Sequence, residues 1–108
     1  MHTAILYIRV KMMMIMKIKE CLSVDSIEVG LVAGCKIDLL DRIVELAGKS
    51  GKIPDLDVVK KEVFERERIM STGVGKGVAL PHTKTNSVEG FVAAMVVLSQ
   101  PLDFDSFD

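Results

Sequence analysis

Two of the 108 residues are histidines, His2 and His82, and only His82 stands where its ring has a use. It follows Val78-Ala79-Leu80, which reads as a short buried strand, and Pro81, which fixes the backbone just ahead of it. Strand ends are where α/β proteins hold their reactive groups. Imidazole, with an unperturbed pKa of ~6.5, is largely neutral and nucleophilic at cellular pH. No spaced carboxylates or cysteines accompany His82, so the setting is not that of a metal ligand. His2 lies in the apolar opening of the chain and is a poor partner for it.

Charge gathers around the same stretch. Lys60, Lys61, Arg66, Arg68, Lys76 and Lys84 face only Glu62, Glu65 and Glu67, a local surplus of +3 in a chain of net charge -1. Such a surplus suits an anionic group arriving near His82. A solvated helix face laced with i, i+4 pairs, such as Glu62 with Arg66, would use the same residues. Gly73, Gly75 and Gly77 fall at alternate positions between these charges and call for a loop with unusual backbone angles. The loop is not a nucleotide cradle. Gly75-Lys76 is followed by Gly77 instead of Ser or Thr, which fails the P-loop spacing. The strand-then-helix context of a dinucleotide motif is missing too, and a tight turn is the simpler reading.

Two helices and a few strands must position these residues. From Ile37, the recurrence Leu39, Leu40, Ile43, Val44, Ala47 predicts an amphipathic helix that Gly48 to Gly51 end. Asp55 is a good N-cap for a second helix, with Leu56, Val59, Val63 and Phe64 as its buried stripe and Glu65-Arg66-Glu67-Arg68 closing it. Residues 17–32 predict one or two short strands. Phe91 to Leu98, continuously apolar, predicts a strand buried on both faces, followed by a polar, turn-rich tail. The fold class is therefore α/β, a mixed β-sheet flanked by α-helices.

The first sixteen residues differ from the rest, with twelve apolar residues and five of the seven methionines. Arg9 and Lys11 leave the run too short to cross a bilayer, and no small-residue cleavage site follows it. It is assigned no function, as a non-native extension or an added edge strand over Ala4 to Val10. Cys21 and Cys35 form no C-x-x-C pair and predict two reduced, buried thiols in a cytoplasmic protein. The balanced charge and the scarcity of aromatic residues (one Tyr, four Phe, no Trp) speak against a nucleic-acid partner. No cofactor is implied.

Arg66-Glu67, then Ser71-Thr72-Gly73-Val74-Gly75, then Gly77-Val78-Ala79-Leu80-Pro81-His82 form a specific string. It closely resembles the signature of the fructose/mannitol/nitrogen-regulatory (type 2) EIIA domains of the sugar phosphotransferase system, and the likeness extends from about residue 20 to the end. The resemblance implies a phosphotransferase/anion-transport-like sandwich. It also implies that His82 takes a phosphoryl group from the phosphohistidine of an HPr-like carrier, or of its nitrogen-branch counterpart. In sugar-transporting members the group passes on to a cysteine of an EIIB domain, and the membrane is met only through the EIIC transporter. Arg66 is implied to steady the phosphoryl oxygens, a task suited to a planar guanidinium. Ser71 and Thr72 either donate to those oxygens or shape the turn. Domains of this kind continue well past Asp108, so residues 17–108 are expected to be the N-terminal portion of one. A regulatory module that signals by its phosphorylation state, or a shortened domain without catalysis, fits the same string.

Overall fold

The longest strand, Phe91–Leu98, is an eight-residue apolar run that must find partners on both edges. In a computed structural model that describes residues 3–9, 24–71, 73–75, 77–79, 81–84, 88 and 91–104, it does so. The strands are β1 (Thr3–Arg9), β2 (Ile27–Leu31), β3 (Gly73–Gly75), β4 (Val78–Ala79), β5 (His82–Lys84) and β6 (Phe91–Leu98). They form one six-stranded mixed sheet in the order β2-β6-β1-β4-β3, with β5 also pairing β1. β6 runs antiparallel to β1 over seven rungs, from Thr3 opposite Val97 to Arg9 opposite Phe91. Its other edge is parallel to β2.

The helices are α1 (Lys36–Ala47) and α2 (Leu56–Ile69). α1 buries Leu39, Leu40, Ile43, Val44, Leu46 and Ala47 and packs on β6, β1 and α2. A 3-10 turn over Gly48–Ser50 ends it, and Gly51 (φ 77°) turns the chain away in the left-handed region. Asp55 caps α2 as its type predicts, its Oδ1 accepting from the Val58 N–H at 3.4 Å. The sheet answers the helices with one buried face, carrying Ala4, Leu6, Leu31, Ala79, Ala94, Val96 and Leu98. The next residues along the strands occupy the opposite face, as a pleat requires. There Thr3, Ile5, Met95 and Val97 are half-buried and Ile27 and Val29 exposed.

Three expectations change. The opening segment is not an edge strand. β1 lies inside the sheet between β6 and the β4/β5 pair, and its Ala4 and Leu6 are wholly buried. The β-prone stretch Ala4 to Val10 suggested a strand added at an edge, yet β1 is paired along both of its edges. β6 is buried on both faces only over Val92, Ala93 and Ala94, after which exposure alternates. Cys35 is exposed and free, because it precedes α1 and stands outside its apolar stripe. Cys21 lies outside the described residues.

Between the helices, Lys60 reaches from α2 to Asp41 (2.8 Å) and Glu45 (3.2 Å) on α1. The hydrogen bond to Asp41, joined by the one to Glu45 and by both charges, raises the Lys60 pKa against the opposing effect of burial. Leu6→Ala should cost about 2–5 kcal/mol in a urea titration, as truncations of filled core positions do; an unmoved midpoint would show that β1 is dispensable. Lys60→Met should cost at most about 1 kcal/mol near neutrality, since both carboxylates are well exposed. The folded value lies above the ordinary 10.5, so this contribution is whole below that pH and is lost as pH climbs through the raised value. The difference between Lys60→Met and the parent chain should accordingly stay level through mildly alkaline pH and shrink only beyond it.

Candidate functional site

His82 owes its place to a strand that breaks and resumes. β4 pairs β1 in parallel through Thr3 with Val78 and Ala4 with Ala79. β5 pairs the same edge of β1 through Tyr7 with His82, Ile8 with Thr83 and Arg9 with Lys84. Both halves keep one register, so β4 and β5 lie in line along β1, with Pro81 outside the ladder just ahead of His82. Proline has no N–H to give a ladder, which accounts for the break. Ala79 and Pro81 are fully buried while His82 is exposed, the alternation of a strand carried across the interruption. The imidazole thus stands in solvent on a backbone anchored by the residue before it.

The glycine run feeds this line. β3 lies antiparallel to β4 with a register shift between Gly73 and Gly75. Gly77 makes the connecting turn at φ 78°, a conformation that side-chain-bearing residues avoid, and its carbonyl accepts from the Thr3 N–H at 3.1 Å. The predicted turn is therefore a hairpin corner that delivers β4 to β1.

Arg66 lies in the last turn of α2, and α2 packs against β5. The helix bearing Arg66 and the strand that opens with His82 are neighbours. One guanidinium N–H, at Nη1, donates to the Met70 carbonyl at 2.9 Å, tethering the side chain along the end of its own helix; a guanidinium carries five such donors. Ser71 follows at once. Its hydroxyl donates to the Phe104 carbonyl (3.2 Å) and accepts from the Gly73 N–H (3.2 Å). A hydroxyl has one hydrogen to give, and here it goes to the Phe104 carbonyl, a bond that shapes the turn. Thr72 lies outside the described residues, as do the side chains of Lys76 and Lys84.

The basic surplus is partly spent inside the protein. Lys60 is held by α1, and Arg68 by Glu65 at 2.7 Å, which lowers the Glu65 pKa and raises that of Arg68 through the same hydrogen bond and charge. Arg66 and Arg68 both lie in the last turn of α2, the helix that packs against β5.

Sequence reasoning missed Glu67. Placed among charges closing the helix, it instead continues the buried stripe Val59, Val63, Glu67 at i, i+4, i+8 and is only 6 % exposed. That spacing was the available signal. Its carboxylate pairs with Lys36 Nζ at 2.8 Å, and the same ammonium lies 4.6 Å from the Phe104 ring centroid. The pair lines a cleft between the helices together with Ile37, Leu40, Phe64 and Arg68. Among the described residues no cluster of His, Cys, Asp or Glu is suited to a metal ion, and no helix is long and apolar enough to cross a membrane.

Residues 20–108 match the family profile described as phosphoenolpyruvate-dependent sugar phosphotransferase system, EIIA 2. The chain is 34% identical over 93 residues to the PTS system fructose-specific EIIABC component of Bacillus subtilis (strain 168), covering 86% of this chain and 15% of that protein. It is 30% identical over 80 residues to a nitrogen regulatory protein of Pseudomonas aeruginosa, covering 74% and 52% respectively. It is 33% identical over 69 residues to the PTS system fructose-specific EIIA component of Haloferax volcanii, covering 64% and 45%. The chain spans about half the length, or less, of the curated relatives it matches.

Proposed function

This chain belongs to the EIIA 2 family of the phosphoenolpyruvate-dependent sugar phosphotransferase system, and from that premise we propose that it is a phosphocarrier with His82 as its acceptor. The observation that carries the proposal is the exposure of His82 at the start of a strand whose preceding residue, Pro81, is buried. A nucleophile that must meet another protein's phosphohistidine needs both access and a fixed origin. Phosphoryl transfer depends chiefly on positioning and on neutralising charge over the oxygens.

In the first step a ring nitrogen of His82 attacks phosphorus on the phosphohistidine of an HPr-like carrier. The new N–P bond forms as the donor's N–P bond breaks, and that electron pair returns to the donor ring. In the second step a cysteine thiolate of an EIIB domain attacks, an S–P bond forms, and the pair returns to His82. No nucleotide takes part, because the bond energy arrives with the phosphohistidine. Arg66 supplies N–H donors and positive charge to the travelling oxygens, while Ser71 holds the turn that leads to the histidine strand. Both partners and the chain itself would meet in the cytoplasm.

The similarity to a nitrogen regulatory protein favours one second reading. The same phosphohistidine would then act as a signal, changing which partner the chain binds, with no EIIB acceptor. Transfer to an EIIB domain separates the two.

Incubation with phosphoenolpyruvate and the upstream carriers should load acid-labile, base-stable phosphate on the chain. His82→Ala should abolish it, and Arg66→Ala should slow loading by about 10²-fold, the scale of losing a charge-stabilising donor. Label that persists unchanged in His82→Ala would contradict the assignment.

A further inference from the structure

We propose that Glu67 is a positioning residue for the phosphoryl site, locked by Lys36 and Phe104 and acting through Arg66 and the Ser71 turn; this rests on the reading of His82 as acceptor. Lys36 occupies the first position of α1, where the exposed N–H groups disfavour a cation. Its ammonium is nevertheless held there, 2.8 Å from Glu67 and 4.6 Å from the Phe104 ring centroid. A residue that breaks its local rule with a tertiary partner in place marks a requirement of the assembled protein.

Glu67 breaks a rule as well. On the buried stripe of α2 after Val59 and Val63, an apolar side chain would pack without a partner. A carboxylate in that place must be paired, so the last turn of α2 cannot rotate without parting the ion pair. Successive helix residues diverge by about 100°. Fixing Glu67 therefore fixes the direction in which Arg66, the preceding residue, leaves the helix. The tether from Arg66 to the Met70 carbonyl holds the same end.

Phe104 extends the lock toward the histidine. Its ring lies against Lys36, and its carbonyl accepts from Ser71, whose oxygen in turn accepts from the Gly73 N–H. Gly73 opens the hairpin that returns through β4 and Pro81 to His82. A line of contacts thus runs from Glu67 through Lys36, Phe104 and Ser71 to the β3/β4 hairpin that precedes the acceptor strand. No bond is made or broken at Glu67.

The test is loading kinetics with a phosphorylated HPr-type donor on Glu67→Gln, which keeps the shape and removes the charge, and on Lys36→Gln. Both should lower the saturating rate per folded molecule by about 10–100-fold, the range for residues that orient a reacting group. The donor concentration at half-saturation should stay unchanged, and Lys36→Arg should recover most of the rate. Val44→Ala, a core truncation on α1, should lower the melting midpoint yet leave the rate per folded molecule unaltered. Folded Glu67→Gln loading at the parent rate would overturn the proposal. So would a loss of folding in both Gln variants, which would give the pair a role in the core alone. Should the parent chain itself accept no phosphate, the acceptor reading fails while the lock is still decided by NMR. The Arg66 guanidinium and Gly73 amide resonances should then move in Glu67→Gln and Lys36→Gln but not in Val44→Ala, and unmoved resonances overturn it.

Discussion

The pairing of both edges of β1 is the constraint on which the rest depends. One edge is taken by β6 over its whole length, the other by the Val78 to Lys84 line. A one-residue slip in either ladder would send every side chain to the opposite face. On the second edge it would bury His82 and push Pro81 into water. The buried residues on these strands, Ala4, Leu6 and Ala79, therefore do more than fill a core. They fix the phase of the line of strands that carries the acceptor at the start of β5. The proline belongs to the same constraint, because β4 and β5 hold one register on either side of it.

A second layer of order is polar. The end of α2, the start of α1 and the segment Pro101 to Phe104 converge on the Lys36, Glu67 and Phe104 contacts, with the Ser71 hydroxyl joined to the Phe104 backbone. Apolar packing sets the distance between helices but tolerates sliding. A buried ion pair and directed hydrogen bonds do not. The molecule thus uses aliphatic burial for its sheet and helix stripes, and directed contacts at the corner where helix, turn and acceptor strand meet.

Much of this was legible in the sequence because it obeys simple periods. The stripe from Leu39 to Ala47, the cap at Asp55, the run from Phe91 to Leu98 and the strand before Pro81 each follow one local rule. The string from Arg66 to His82 pointed to the family that the profile match shows. What escaped was what local rules do not encode. β1 resembled an extension because a short strand shows its place only through its partners. Glu67 was read only as part of the charged run that closes the helix, and its burial depends on Lys36, distant in sequence. The bond from the Ser71 hydroxyl to the Phe104 carbonyl, 33 residues away, is also a contact no local rule encodes. The unevenly covered face of β6 likewise depends on neighbouring strands, which no window along one segment reveals.

The central claim is that one exposed imidazole, fixed by a buried proline and an in-register strand, carries the phosphoryl group. Phosphorus NMR of the chain after loading from phosphoenolpyruvate tests it most directly, with proton–phosphorus correlation to assign the linked ring. The account predicts a single phosphorus–nitrogen resonance correlated with the ring protons of His82. A resonance correlated with another side chain, or a phosphorus–oxygen ester in its place, would contradict it.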